Sequence, residues 1–202
     1  EAAAASGMPF DPLAWAVSTP TSSYPACMAL KAAAEQGADA AARYLRRLRE
    51  GLMVEGRRLD HPDALIAVAG EAELDVARFR IDLNSPAILE GFAADLELTR
   101  DGRHGIPTLQ FSGRDGPGRV VRGRAPYGEY RQAALGAGAL PARDDSPDLL
   151  EAIEEFGGLA TAEAEELTGR PAPVIRSELW AAARDWRLRA VMTPTGELWE
   201  KA

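Results

Sequence analysis

Apolar residues that recur every three to four positions predict a largely helical first half of the chain. The clearest stripe is Tyr44, Leu45, Leu48 and Leu52, on a helix predicted over residues 38–55. Small polar residues followed by proline, a sequence typical of helix starts, precede several of these segments. Five consecutive helices are therefore predicted, over about residues 24–36, 38–55, 61–70, 75–83 and 85–102.

The pattern changes at Ile106. Residues 106–111 are rich in strand-forming side chains, a turn rich in Gly, Asp and Pro covers residues 113–118, and a second short strand covers 119–122. This order predicts a β-hairpin. A helix is predicted over residues 127–135, and the Gly-, Ala-, Pro- and Asp-rich residues 136–145 have the composition of a connector.

The last segment, residues 146–202, differs in character from the rest of the chain. Its pattern predicts three short helices, over about residues 146–156, 161–167 and 173–187. Two strands around Thr193–Gly196 then predict a second hairpin. Three short helices followed by a hairpin is the element order of a winged-helix module. We interpret its three tryptophans as core residues between helix and hairpin: Trp180, Trp186 and Trp199.

Composition and charge narrow the classes of function. An apolar share of 46% is sufficient for a packed core, and the net charge of −8 argues against nucleic-acid binding. Residues 146–202 contain 11 acidic and 6 basic residues, a net charge of 6 − 11 = −5, so we do not expect that segment to read DNA. The longest apolar run, residues 64–69, is far below the ~20 residues that cross a bilayer, so no membrane association is expected.

Cys27, near the start of the first predicted helix, is the single cysteine of the sequence. One thiol cannot form an internal disulfide, which suits a reducing, cytoplasmic compartment. Two interpretations stay open. A helix N-terminus lowers the pKa of a thiol and raises its reactivity, which makes Cys27 a candidate catalytic residue. Alternatively, Cys27 is a half-buried structural residue.

The remaining chemistry-bearing side chains suggest no metal or cofactor. The sequence has no Gly-rich phosphate loop, no Cys/His zinc spacing and no Ser-His-Asp arrangement. Four arginines of the second predicted helix could suggest a phosphate site, but we interpret them as its solvated face: Arg43, Arg46, Arg47 and Arg49.

Several segments together resemble one known family. Helices followed by Gly105–Phe111, a hairpin and a helix resemble the second half of DsbA-family thioredoxin-like proteins. Residues 6–11, 23–27 and 44–50 are similar to the FrnE-type branch, and Thr195–Glu200 resembles the C-terminal extension of longer members related to the Spx-degradation adapters. The resemblance implies an α/β, thioredoxin-like fold of the DsbA type, with a helical insert over about residues 22–102.

The same resemblance assigns candidate site residues. In this family the strand begins with a cis proline beside the redox centre, which implies a cis Ile106-Pro107 bond and a substrate-binding groove that includes Thr108. Ser22 and Ser23 are further candidates for this groove, because the corresponding helix start lies near the active site of related enzymes. His104, two residues before Ile106, is a candidate for tuning a thiol or for acid/base chemistry; a histidine of a polar loop is the alternative.

One departure from the family pattern matters for function. The first strand, the Cys-x-x-Cys motif and the second strand of the family would precede Ser6, and the sequence opens with EAAAA and no initiator Met. We therefore expect that the natural protein begins upstream and that its redox motif lies outside this sequence. The predicted division is a partial DsbA-like domain over residues 1–138 and a helices-plus-hairpin module over residues 146–202.

These features leave three functional hypotheses. The first is a DsbA-like thiol-disulfide oxidoreductase or isomerase that acts on protein thiols, with the present chain inactive on its own because one thiol cannot complete a dithiol cycle. The second is a non-catalytic adapter of the same fold that binds a client protein. The third is an isomerase or glutathione-transferase-like relative that uses Ser in place of Cys. The sequence does not indicate an oligomeric state.

Overall fold

A computed structural model of the chain describes residues 2–17, 19–102, 105–113, 116–140 and 147–202. The helices are α1 (Ala2–Ser6), α2 (Pro12–Val17), α3 (Tyr24–Ala34), α4 (Ala38–Met53), α5 (Pro62–Glu71), α6 (Val76–Leu83), α7 (Pro86–Gly102), α8 (Tyr127–Gly136), α9 (Leu149–Phe156), α10 (Thr161–Thr168) and α11 (Ala172–Arg184). The strands are β1 (Thr108–Gly113), β2 (Gly116–Arg122), β3 (Leu159–Ala160), β4 (Leu188–Thr193) and β5 (Gly196–Lys201). Two compact units result: Glu1–Phe92 with Ser146–Ala202, and Ala93–Asp145.

Helices α3 to α7 confirm the five predicted helices. The apolar stripe of α4 supplies the centre of their core, where Tyr44 is fully buried and its ring centroid lies 5.2 Å from that of Phe79. The Tyr44 hydroxyl donates a 3.1 Å hydrogen bond to the carbonyl of Leu65, which satisfies the one polar atom that this ring brings inside. Small residues of α3, such as Ala29 and Ala32, are also fully buried.

The C-terminal residues 147–202 form a module of three helices and a three-stranded antiparallel sheet in the order β3-β5-β4. Trp199, on the central strand β5, is fully buried in the core of the module. Its indole N–H donates a 2.9 Å hydrogen bond to the hydroxyl of Thr161 at the start of α10. The helices and the β4–β5 hairpin were predicted, whereas the two-residue strand β3 was not.

The interpretation of all three C-terminal tryptophans as core residues was wrong for two of them. Trp186 is 87% exposed and Trp180 is 45% exposed. The rings of Trp180 and Trp199 pack edge to face, with 4.9 Å between their centroids. Trp180 thus covers Trp199 from the solvent side, and of the three tryptophans Trp199 is the core residue. Trp186 lies in the turn between α11 and β4.

The C-terminal module belongs to the same compact unit as the first 92 residues. The predicted division into residues 1–138 and 146–202 stays a prediction. Side-chain contacts join the module to the first part of the chain. Arg46 of α4 forms an ion pair with Glu163 of α10 at 2.9 Å. The hydroxyl of Thr195 accepts from the backbone N–H of Phe10 at 2.7 Å. The predicted connector over residues 136–145 stays a prediction, because residues 141–146 lie outside the described part of the chain.

The second unit is built on the β1–β2 hairpin, which confirms the predicted one. Leu109 pairs with Val121 and Phe111 with Arg119 in antiparallel register. The Ile106-Pro107 peptide bond is cis, as the family resemblance implied. The hairpin lies close against the end of α8: a Cβ built on Gly113 would lie 1.9 Å from the carbonyl oxygen of Ala137, so this position requires glycine.

Candidate functional site

The segment that leads into α3 carries two of the predicted groove residues. Ser22 and Ser23 are both exposed, and the backbone N–H of Tyr24 donates to the Ser22 hydroxyl at 3.1 Å. Ser23 takes the N-cap position of α3, but its side chain makes no capping hydrogen bond. Its hydroxyl therefore stays accessible at the end of a helix whose backbone N–H groups carry partial positive charge.

This segment is held in place by a buried carboxylate that the sequence did not reveal. The Asp60 side chain is 1% exposed, and it accepts hydrogen bonds from the backbone N–H and the hydroxyl of Thr21 at 2.8 and 2.7 Å. Arg58 donates to the same carboxylate at 2.9 Å. The Arg58 guanidinium and the two Thr21 donors hold the pKa of Asp60 far below its usual range. Asp60 therefore stays ionised and anchors the residue that immediately precedes Ser22.

Cys27 lies on the exposed side of the first turn of α3, which excludes its interpretation as a half-buried structural residue. Its backbone N–H donates to the carbonyl of Ser23 at 3.0 Å, so it belongs to the regular helix. It is the single thiol of the 202-residue sequence, and no group of three or more His, Cys, Asp or Glu within the described residues could hold a metal ion. Cys27 as a catalytic residue stays a prediction.

The cis-proline segment belongs to the second unit, whereas Ser22 and Ser23 belong to the first. Ile106 is 94% exposed, an unusual state for an isoleucine at the entry to a strand. Thr108 is also exposed, and its hydroxyl donates to the carbonyl of Gly105 at 2.6 Å. The substrate-binding groove stays a prediction, and His104 lies outside the described residues.

Ion pairs on α4 show that two of its four arginines were wrongly interpreted as a solvated face. Arg46 and Arg47 are partly buried, and both contact Glu50, whose side chain is 9% exposed. Burial raises the pKa of Glu50, and the two arginines act in the opposite direction. Arg47 also pairs with Glu55 at 3.0 Å and with Glu71 at 2.8 Å. These charges stabilise local structure, which explains their position without a phosphate ligand.

A cavity of about 330 Å³ lies between α4 and the C-terminal module. The guanidinium of Arg46 forms one wall, where it donates to both carboxylate oxygens of Glu163 and lies 5.9 Å from the ring centroid of Phe156. The lining residues are Ser6, Met8, Arg46, Phe156, Leu159, Ala162, Glu163, Glu166 and Leu167. The walls are apolar apart from Arg46, Ser6 and the two carboxylates, an arrangement that suits an apolar side chain better than an ion.

The fold and the comparison with family models define the class of this chain. A family model described as thioredoxin matches residues 2–132, which is well over half of the sequence. The chain therefore belongs to the thioredoxin family, and its α/β fold is thioredoxin-like.

The curated relatives carry a more particular name. The chain is 30% identical to the "ClpXP adapter protein SpxH" of Shouchella clausii over 181 residues, 88% of this chain and 60% of that relative. It is 37% identical over 129 residues to the protein of that name from Halalkalibacterium halodurans, 62% of this chain and 42% of that relative. With the Bacillus subtilis protein of that name the identity is 30%, over 80% of this chain and 56% of that relative. The chain thus spans about half the length of the curated relatives it matches.

Within the part of the chain that the structure describes, no helix combines the length and apolar character that a bilayer crossing requires.

Proposed function

We propose that this chain is a protein-binding adapter of the thioredoxin fold that delivers a client protein to ClpXP. The observation that carries this proposal is the extent of the likeness to the SpxH adapters. The alignment with the Shouchella clausii relative covers 181 residues, whereas the thioredoxin match ends at residue 132. The likeness therefore extends beyond the thioredoxin segment, toward the C-terminal module.

Exposed apolar side chains also support the adapter function. An adapter needs exposed side chains that a partner can contact. This chain exposes Ile106 just before β1 and Trp186 after α11. A cytoplasmic location is part of this proposal, because a sequence with a single cysteine suits a reducing compartment.

The module formed by residues 147–202 is best described, we propose, as winged-helix-like. The order of its elements supports this description: helix, short strand, two helices, and a final hairpin on a three-stranded sheet. Its net charge of −5 supports protein docking in preference to DNA binding, since a DNA-reading module carries a basic excess.

A binding experiment with two readouts tests the adapter function. The purified chain is titrated against immobilised ClpX, and the reduction of insulin by the same preparation is followed with dithiothreitol as electron donor. We expect saturable micromolar binding to ClpX that Cys27→Ser leaves unchanged, and insulin reduction no faster than with dithiothreitol alone. Absence of ClpX binding would contradict the proposal. Reductase turnover that disappears in Cys27→Ser would contradict the expectation that the present chain is inactive on its own.

A further inference from the structure

The turn that ends α11 has the hydrogen bonds of a Schellman motif with a tryptophan in the place of glycine. The N–H of Trp186 donates to the carbonyl of Ala183 at 3.1 Å, and the N–H of Arg187 donates to that of Ala182 at 3.0 Å. In this motif the first residue after the C-cap adopts a left-handed backbone, and glycine usually occupies it. Here that residue is Trp186, with φ of 58°.

The other two helices of the same module end on glycine. Gly157 after α9 has φ of 78°, and Gly169 after α10 has φ of 64°. A left-handed backbone is a steric outlier for a bulky side chain, so the end of α11 carries a cost that the two other helix ends avoid.

Burial against the residues that the structure describes does little to offset this cost. The Trp186 side chain is 87% exposed, so it gains little from burial. A bulky residue with a left-handed backbone and little burial is typical of functional positions. Tryptophans are also enriched among the residues that dominate the binding energy of protein interfaces.

The surroundings of Trp186 show what kind of partner fits. A cavity of about 300 Å³ beside it has an apolar floor formed by Leu150, Ile153 and Leu188. Two cations line the same cavity. Lys201 is neutralised by Glu154 at 2.5 Å, whereas the guanidinium of Arg187 forms no ion pair with any residue that the structure describes. An apolar side chain with a neighbouring carboxylate therefore complements this surface.

We propose that Trp186, Arg187 and the adjoining cavity form a docking surface for a protein segment that presents an aliphatic side chain next to Asp or Glu. The aliphatic side chain occupies the cavity, the indole of Trp186 covers it, and Arg187 pairs with the carboxylate. This inference rests on the proposed adapter function and specifies the surface and the partner chemistry that the function would use.

A peptide titration of the full chain tests the surface. The probe is an acetylated and amidated peptide of alternating Asp and Leu carrying a fluorophore, and the two control peptides replace Asp by Lys or Leu by Ser. We expect saturable binding of the Asp-Leu peptide, at least about tenfold weaker binding of both controls, and a similar loss in Arg187→Glu. In NMR spectra of the ¹⁵N-labelled chain, the indole signal of Trp186 should shift most among the four tryptophans. Equal binding of the Lys-Leu peptide, or shifts confined to other indoles, would overturn the proposal.

Replacement of Trp186 by Gly separates docking from folding. We expect Trp186→Gly to raise the melting temperature by a few degrees, because glycine relieves the left-handed backbone, and to weaken the peptide by about tenfold or more. The chain offers a matched control in Glu73, which has φ of 58° after α5 and the same pair of hydrogen bonds, from Glu73 N–H to Gly70 and from Leu74 N–H to Ala69. Glu73→Gly should stabilise the chain similarly and leave peptide binding unchanged. Unchanged peptide binding in Trp186→Gly would overturn the proposal.

The failure of this inference is distinguishable from failure of the adapter function. Binding to ClpX is measured on the same preparations. If the wild-type chain binds ClpX but the Asp-Leu peptide does not bind at Trp186, the adapter function stands and the docking surface is wrong. If the peptide binds as expected but ClpX does not, the surface stands and the proposed function is wrong.

Discussion

The C-terminal module and the β1–β2 hairpin are both small antiparallel structures, yet they are stabilised very differently. In the module the central strand β5 pairs on both sides, and Trp199 lies fully buried beneath helices α9 to α11. In the second unit β1 and β2 pair with each other, and Val121 and Ala133 are the buried apolar residues within residues 93–100, 105–113 and 118–140.

This difference shows what a sheet needs in order to persist. A two-stranded sheet is marginal by itself, whereas a third strand and a covering helix layer remove both backbone groups and apolar side chains from water. The module satisfies these requirements within its own 56 described residues, 147–202. Among the described residues of its unit, the hairpin is supported by α8 and two buried side chains, so we expect it to be the less protected of the two.

The largest effect should come from Trp199. Trp199→Ala removes the central side chain of the module together with its hydrogen bond to Thr161, and buried aromatic-to-alanine changes cost about 3–5 kcal/mol. Urea unfolding monitored by circular dichroism measures the loss. The control is Trp186→Phe, which keeps an aromatic ring at an exposed position and should change stability by less than about 0.5 kcal/mol. Equal effects of both variants would contradict the description of the module core.

An intermediate effect is expected at the contact between α4 and the module. Arg46→Met breaks the pairs with Glu163 and Glu50 and leaves the buried Glu50 with Arg47 as its cation. Because both side chains of the Arg46–Glu163 pair are about one-quarter exposed, we expect a loss of about 2 kcal/mol, below that of a fully buried pair. Arg49→Met, on the exposed side of the same helix, is the matched control and should be nearly neutral. Amide exchange in the hairpin should not respond to either variant.

Much of this fold was predictable because its signals are local. Proline and small polar residues mark the starts of α3, α5 and α7, and glycine marks several helix ends, so the five helices were predicted within a few residues of their observed bounds. The hairpin was likewise predicted from turn composition. Strand β3 was missed because two residues, Leu159 and Ala160, have no periodicity to detect.

The features that sequence reasoning missed depend on contacts between distant residues. Arg46 and Glu50 are four residues apart on one helix, a spacing that suggests an ion pair. Glu163, the other partner of Arg46, lies 117 residues beyond Arg46 in the sequence. The exposure of Trp186 was also missed, because the sequence around a tryptophan in a helix-to-strand turn does not indicate whether its side chain is buried or exposed. The candidate site residues near α3 were predicted from family resemblance, whereas the Asp60 contacts that hold them in place were not.

The smallest expected effect tests the hairpin directly. Val121 pairs with Leu109 across the sheet and is 4% exposed, whereas Val120, the preceding residue on the opposite face of β2, is 37% exposed. Val121→Ala removes two buried methyl groups, worth about 1.5 kcal/mol at ~0.8 kcal/mol for each carbon. Val120→Ala is the matched control, because it makes the same chemical change with little burial.

Hydrogen exchange of the amides of β1 and β2 measures the effect where it should appear. We expect exchange about tenfold faster in Val121→Ala, since ~1.4 kcal/mol corresponds to a factor of ten in an opening equilibrium, with little change in Val120→Ala. The amides of β4 and β5 should keep their protection in both variants, because the module has a core of its own. If Val121→Ala also accelerated exchange in the module, the two regions would unfold together, and the contrast between a self-sufficient module and a marginal hairpin would be wrong.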